Sequence, residues 1–227
     1  MANPWTYEQK FNGLNTADLN GQDSWSGSTN FDVVTTDTPA EGTKHVKCNT
    51  ISSAIDRIIT AVTYGTMYFD MKAGQTNKDA YFVLASSAAD EIDILFNSSG
   101  NITAYDSDSS YVTVQAYSAN TYYRIGIAFD YTAGGWEGLD QYHFKVNVNG
   151  GAWSSEFKVE HGNTYSSIAR VKFNNPGWNT GGTFYWDFIS PDYSSTEIKS
   201  VNGLAKSSIK SINGLAIASI KNFNGLA

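Results

Sequence analysis

The sequence predicts an all-β fold, an antiparallel two-sheet jelly-roll sandwich followed by a short β-hairpin repeat tail. Three observations carry that expectation. Apolar residues alternate with polar ones over most of the chain up to about residue 190, the period of strands with one face on a core. Glycine is abundant (20) while proline is scarce (4), which suits many short turns between strands. At the C-terminus an eleven-residue unit is repeated three times around an Asn-Gly pair, the preferred centre of a two-residue hairpin turn. With 227 residues, 14% aromatic and only 16% charged, the chain has the material for one large core.

Taken in order, Thr66 to Lys72 sets Met67, Phe69 and Met71 on one face. Tyr123, Ile125, Ile127 and Phe129 alternate with Arg124, Gly126, Ala128 and Asp130, and Phe144, Val146 and Val148 alternate with Lys145, Asn147 and Asn149. Ala169, Val171 and Phe173 face away from Arg170 and Lys172. Between such runs, Asn97 to Gly100, Asn149 to Gly151 and Asn179 to Gly182 are loops able to take positive φ. About a dozen segments follow one another at sandwich spacing. The stretch Ser52 to Val62 reads either as a short helix or, from its β-branched residues, as a strand.

The texture changes after Pro191, dividing the chain into a sandwich over 1–191, a linker over 192–197 and the repeats over 198–227. Each repeat has an apolar triplet: Ile198, Val201 and Leu204; Ile209, Ile212 and Leu215; Ile220, Phe223 and Leu226. A lone hairpin is marginal in water, so repeats of this kind gain stability by stacking on one another or on other chains. The triplets are therefore expected to form an assembly surface, with a trimer or a larger assembly as the partner. The tail carries Lys199, Lys206, Lys210 and Lys221 and no acid, on a chain whose net charge is −7. A basic tail on an acidic body is expected to dock.

An acidic body does not neutralise phosphates, which argues against nucleic acid. No apolar run reaches the roughly 20 residues of a membrane span. The opening Met-Ala-Asn-Pro-Trp lacks the basic and apolar regions of a signal peptide. The expected location is a virion surface, or the extracellular space after release. One cysteine, Cys48, precludes an internal disulfide, and it is expected to be a buried apolar filler. His45, His143 and His161 have no zinc-ligand spacing.

Several segments between Tyr7 and Ser190 resemble the concanavalin A-like lectin/glucanase superfamily, especially its laminin-G-like jelly rolls. They are the entry Phe11-Asn-Gly-Leu-Asn15 with Trp25, the hairpin Phe96 to Tyr105, the strands Tyr122 to Asp130 and Lys145 to Gly151, and the closing Phe184 to Ile189. The tail repeats are similar to those ending phage tail-fibre and virion surface proteins. The resemblance implies a structural calcium between the first and last strands, where Glu8 and Asp187 would sit.

Asp90-Glu-Ile-Asp-Ile-Leu-Phe96 is similar to the Glu-Ile-Asp-Ile-Glu-Phe strand of laminarinase-type glucanases on that fold. Glu91 and Asp93 match its first two carboxylates, but Leu95 stands in place of the proton donor, and a leucine cannot protonate a leaving oxygen. The segment therefore reads as an ordinary strand, Ile92, Ile94 and Phe96 inward and Glu91 and Asp93 solvated, and the chain as no enzyme. Trp136, Trp153 and Trp178 lie in or beside Gly-rich loops, where indole faces can stack on sugar rings. The expected function is a non-enzymatic virion surface protein, of decoration or fibre type. It would display a lectin-like, glycan-binding module toward a cell-surface polysaccharide. A free carbohydrate-binding module and a degenerate polysaccharide-degrading enzyme are the alternatives.

Overall fold

The computed structural model describes residues 2–50, 53–162, 164–176 and 182–193, together with four two-residue strands in the tail. The body is two seven-stranded antiparallel sheets packed face to face. The first sheet runs, in spatial order, β1 (Trp25–Gly27), β4 (Ser53–Val62), β13 (Ile168–Asn175), β6 (Ala80–Ala85), β7 (Asp90–Phe96), β8 (Asn101–Asp106) and β9 (Ser110–Ala116). The second runs β12 (Phe157–Lys158), β11 (His143–Val148), β10 (Tyr122–Asp130), β5 (Tyr64–Ala73), β14 (Phe184–Ser190), β3 (His45–Cys48) and β2 (Asp32–Val34). The all-β expectation holds, and the ambiguous stretch is a strand: β4 pairs with β1 and β13. No helix among the described residues is long and apolar enough to cross a membrane.

The core lies between the sheets and is filled by the inward positions of the alternating runs. Met67, Phe69 and Met71 of β5 meet Phe82 and Leu84 of β6, with Phe69 and Phe82 stacked across the two sheets. Phe173 of β13 is the hub of an aromatic cluster. Its ring stacks on Trp25 at 4.7 Å and on Trp186 at 5.1 Å, with Phe11, Phe31 and Phe82 around it. Cys48 is buried in this core, as expected of a small apolar residue.

The turns follow their sequence signals. Asn149 and Gly150 take φ of 53° and 70°, and the Gly151 N–H closes the turn on the Val148 carbonyl. Such paired positive φ is what an Asn-Gly turn supplies cheaply. Asn97 Oδ1 accepts the N–H groups of Ser99 and Asn101. In the tail, β15 (Ser200–Val201) pairs with β16 (Leu204–Ala205) and β17 (Ser211–Ile212) with β18 (Leu215–Ala216), each across its Asn-Gly pair. Ile198, Ile209, Ile220, Phe223 and Leu226 lie outside the described residues.

Two of the four register shifts among the described strands bear on the alternation read from sequence. On β13 the register shifts between Ile168 and Arg170. Ile168 lies in the core and Ala169 does not, a correction to the pattern read from sequence; the extra residues of this irregularity lie on β4, between Ile58 and Val62. The second bulge, on β7, shapes the site below.

Candidate functional site

The outer face of the first sheet carries a patch of its own. Along β6, Phe82 and Leu84 enter the core, so Tyr81, Val83 and Ala85 turn outward, where they form a second buried cluster with Leu95 of β7. Tyr105 of β8 and Tyr111 of β9 form a cross-strand pair. The Tyr111 ring packs edge-on against Tyr105 at 5.2 Å and 6.3 Å from Tyr81. Tyr111 is 38% exposed while Tyr81 is only 8% exposed, so the cluster presents one open ring on a packed base.

Beside these rings sits Asp93, paired across the ladder with Val83. The Tyr111 hydroxyl donates to Asp93 Oδ2 at 3.3 Å, and Oδ1 is buried with no hydrogen-bond partner among the described residues. Burial, reinforced by the nearby Asp90 and Glu160 carboxylates, pushes the Asp93 carboxyl up to about 7, against the opposing pull of Tyr111 and Lys172. Asp90 is ion-paired to Lys172 Nζ at 2.7 Å.

The β7 bulge decides which carboxylates meet. Leu84 pairs with Ile92 and Ala85 with Asp90, so Glu91 is skipped. An extra residue on one strand reorients the side chains on either side of it. Asp90, rather than Glu91, is therefore the β7 carboxylate that acts on Asp93. Glu91 is drawn instead toward Tyr131, a core residue whose phenol it acts on, and lies 3.7 Å from His161 Nδ1. The turn after β12 covers it: Glu160 N–H donates to the Glu91 carbonyl at 3.0 Å, and His161 Nδ1 bonds the Asp90 carbonyl at 2.9 Å. Glu91 is 1% exposed, and burial pushes its carboxyl up to about 7. The expectation of a solvated Glu91 sharing a face with Asp93 is thus corrected. Ile92, Ile94 and Phe96 do point into the core, and Leu95 lies on the outer face.

Two of the three tryptophans lie among the described residues. Trp136 is 7% exposed, its Nε1 donating to Thr66 Oγ1 at 3.0 Å and its ring against Tyr64. A ring used for packing and hydrogen-bonded through its indole is not offered to a sugar, so that expectation is corrected. Trp153 is half-buried under the Lys145 ammonium. Trp178 lies outside the described residues.

Of the residues expected at a calcium, Glu8 pairs with Lys10 at 3.3 Å. Asp187 is 1% exposed and accepts the N–H groups of Glu41 at 3.0 Å and Phe188 at 2.8 Å. Burial raises its carboxyl to about 7. Among the described residues no group of three or more His, Cys, Asp or Glu side chains could hold a metal.

Sequence reasoning missed Tyr81, Tyr105 and Tyr111. Their signal was present as outward positions of alternating strands, but alternation marks a face without saying that tyrosines from three strands converge on it.

No known family and no curated protein matches this chain. Solved structures do match in fold. A sialidase superposes with a TM-score of 0.61 at 12% identity, covering 85% of this chain, which spans only 19% of the sialidase. An apo transglycosylase gives 0.52 at 16% identity, over 81% of this chain and 82% of that one. A native glycosidic hydrolase gives 0.51 at 11% identity, over 81% and 93%. At identities this low the likeness is one of fold: the two-sheet antiparallel sandwich is shared with these structures. The expectation that the chain is no enzyme is corrected at this point. The three neighbours are enzymes by name.

Proposed function

We propose that the chain engages a polysaccharide across the outer face of the first sheet. The observation that supports this reading is the exposed Tyr111 ring, braced by Tyr81 and Tyr105 and hydrogen-bonded to the half-neutral Asp93 carboxyl. A flat ring stacks on the apolar face of a sugar, and a carboxyl beside it exchanges hydrogen bonds with hydroxyls. Retention of the full chain on immobilised polysaccharides tests this. Tyr111→Ala is expected to release the protein from neutral polysaccharides that hold it, and unchanged retention on those would sink the reading.

A second reading is cleavage of the bound glycan, favoured by the unlike environments of Asp93 and Asp90. A carboxyl titrating near 7 is suited to protonate a leaving oxygen, and a neighbouring carboxylate suits a nucleophile or base. Reducing-end release that disappears in Asp93→Asn while retention persists supports it. Release that survives Asp93→Asn removes it.

For the tail we propose that the repeats join copies of the chain, with a trimer on a virion surface as the specific form. Multiplied copies would raise weak glycan contacts by avidity. Light scattering on the full chain and on a truncation ending at Thr196 tests it: a larger assembly only in the full chain supports the reading, and two monomers refute it.

A further inference from the structure

The outer face of the second sheet carries buried charge that the tyrosine site does not use. On β5, Met67, Phe69 and Met71 enter the core, which sends Asp70 and Lys72 outward, yet these are only 4% and 5% exposed. Asp70 is fully answered, because the Arg124 guanidinium grips both of its oxygens. Lys72 is not. Among the described residues no carboxylate oxygen lies within 4.0 Å of its ammonium, and its one hydrogen bond goes to the Asp37 carbonyl. The Asp37 carboxylate itself is taken by Lys47 at 3.0 Å. The Lys72 ammonium is lodged between two rings, 4.2 Å from the centre of Tyr185 and 4.6 Å from that of Tyr122. Burial lowers its pKa, opposed by the more distant Asp37 and Asp187.

Lys72, Tyr122, Tyr185, Asn120 and Asp37 line a cavity of about 420 Å³, within the range of small-ligand sites. Its walls are held in place. His45 is fully buried and bonds the Tyr122 hydroxyl through Nδ1 at 2.6 Å. Burial pushes His45 down to about 4, so it stays neutral and Tyr122 keeps its partner at ordinary pH. Asn120 is fixed at φ 60° with its N–H on the Ala73 carbonyl, while its carboxamide has no hydrogen-bond partner among the described residues. An ammonium has three donors, and one is used.

We propose that this cavity is a second ligand site, taking the carboxylate of an acidic sugar. The carboxylate meets the free donors of Lys72, and the exposed Asn120 carboxamide reads a sugar hydroxyl. The arrangement supplies what such a ligand requires: one desolvated cation without a counter-ion, and a spare amide. It stands apart from the tyrosine face on the other sheet, so either site can fail without the other.

The test is calorimetric titration of the full chain with sodium glucuronate, with glucose and with inorganic phosphate. Glucuronate is expected to bind, and glucose at least about tenfold more weakly, the worth of one charge-assisted contact. Lys72→Met keeps the stem between the rings and is expected to abolish that preference, Lys72→Arg to retain it, and Asn120→Ala to weaken glucuronate several-fold. Tyr111→Ala should change nothing here. The proposal is overturned if glucuronate does not bind, if glucose binds equally well, or if folded Lys72→Met binds glucuronate like the parent. Phosphate matching glucuronate would also overturn it, since the cavity would then read charge and not a sugar. Should Lys72→Met not fold, a Lys72→Arg variant that folds but loses glucuronate overturns it as well.

Discussion

Replacing Phe173 by alanine should remove the keystone of the core. The side chain is fully buried and lies between the Trp25 and Trp186 rings, inclined to them by 28° and 14°. Phe→Ala substitutions in cores cost about 3–5 kcal/mol, and each stacked pair adds roughly 0.5–1.5 kcal/mol beyond burial. With two stacks lost from a site walled by rings that cannot collapse inward, the upper end applies, about 5 kcal/mol. For a chain of this size that is a fall in Tm of roughly 10–20 °C. Phe173→Leu keeps most of the volume and loses chiefly the stacking, so it should cost only about 1–2 kcal/mol. Urea unfolding followed by circular dichroism gives both values, and tryptophan emission reports directly on the two flanking indoles. A loss below about 2 kcal/mol for alanine, or equal losses for alanine and leucine, would refute the keystone argument.

Three further outcomes follow from the packing and the charges. In Gly126→Ala the new Cβ would meet Tyr68 Cε1 at 2.6 Å and Asn147 Oδ1 at 2.8 Å; overpacking should cost about 1–3 kcal/mol, read as a lowered Tm in a thermal melt. Asp70→Ala strands the Arg124 guanidinium and should cost about 3 kcal/mol, part of which Arg124→Met should restore in the double variant; absence of that recovery in urea titrations would contradict the pairing. Glu91 has an ordinary pKa of 4.5 and titrates near 7 in the folded protein, so the native state binds the extra proton between those values. Stability therefore falls as pH rises through that window and is level above it. Glu91→Gln should lift the penalty by up to about 3 kcal/mol at pH 8 and change little at pH 4, whereas a pH-independent difference in denaturation midpoint would contradict a buried neutral Glu91.

The sandwich was legible because period-two alternation is written locally: Met67, Phe69 and Met71, or Ile125, Ile127 and Phe129, mark an inward face without reference to any other strand. The bulges were not, because an inserted residue such as Glu91, or the extra residues of β4 opposite Ala169, leaves the composition of its strand unchanged and shows only in the register of the partner. This is why the carboxylate pairing came out as Asp90 with Asp93. Trp136 misled for a related reason. Gly134 to Gly138 looks open in sequence, but a 3₁₀ turn at Trp136–Gly138 folds the indole back to the Thr66 hydroxyl. Nothing local to β5 says that the Asp37 carbonyl meets Lys72 or that Arg124 of β10 holds Asp70.

The strand order has a consequence for how the protein is made. β13 and β14 are the last two strands of the body in sequence, yet each sits in the interior of its sheet, β13 between β4 and β6, β14 between β5 and β3. Until synthesis passes residue 190, the earlier strands have no ladder partner across those gaps and present unpaired edges to the cytosol. Pairings this distant along the chain close slowly, and exposed edges invite association with other chains. Nascent copies packed on one messenger would share those edges until about the last eighth of the body, Ile168 to Ser190, has emerged.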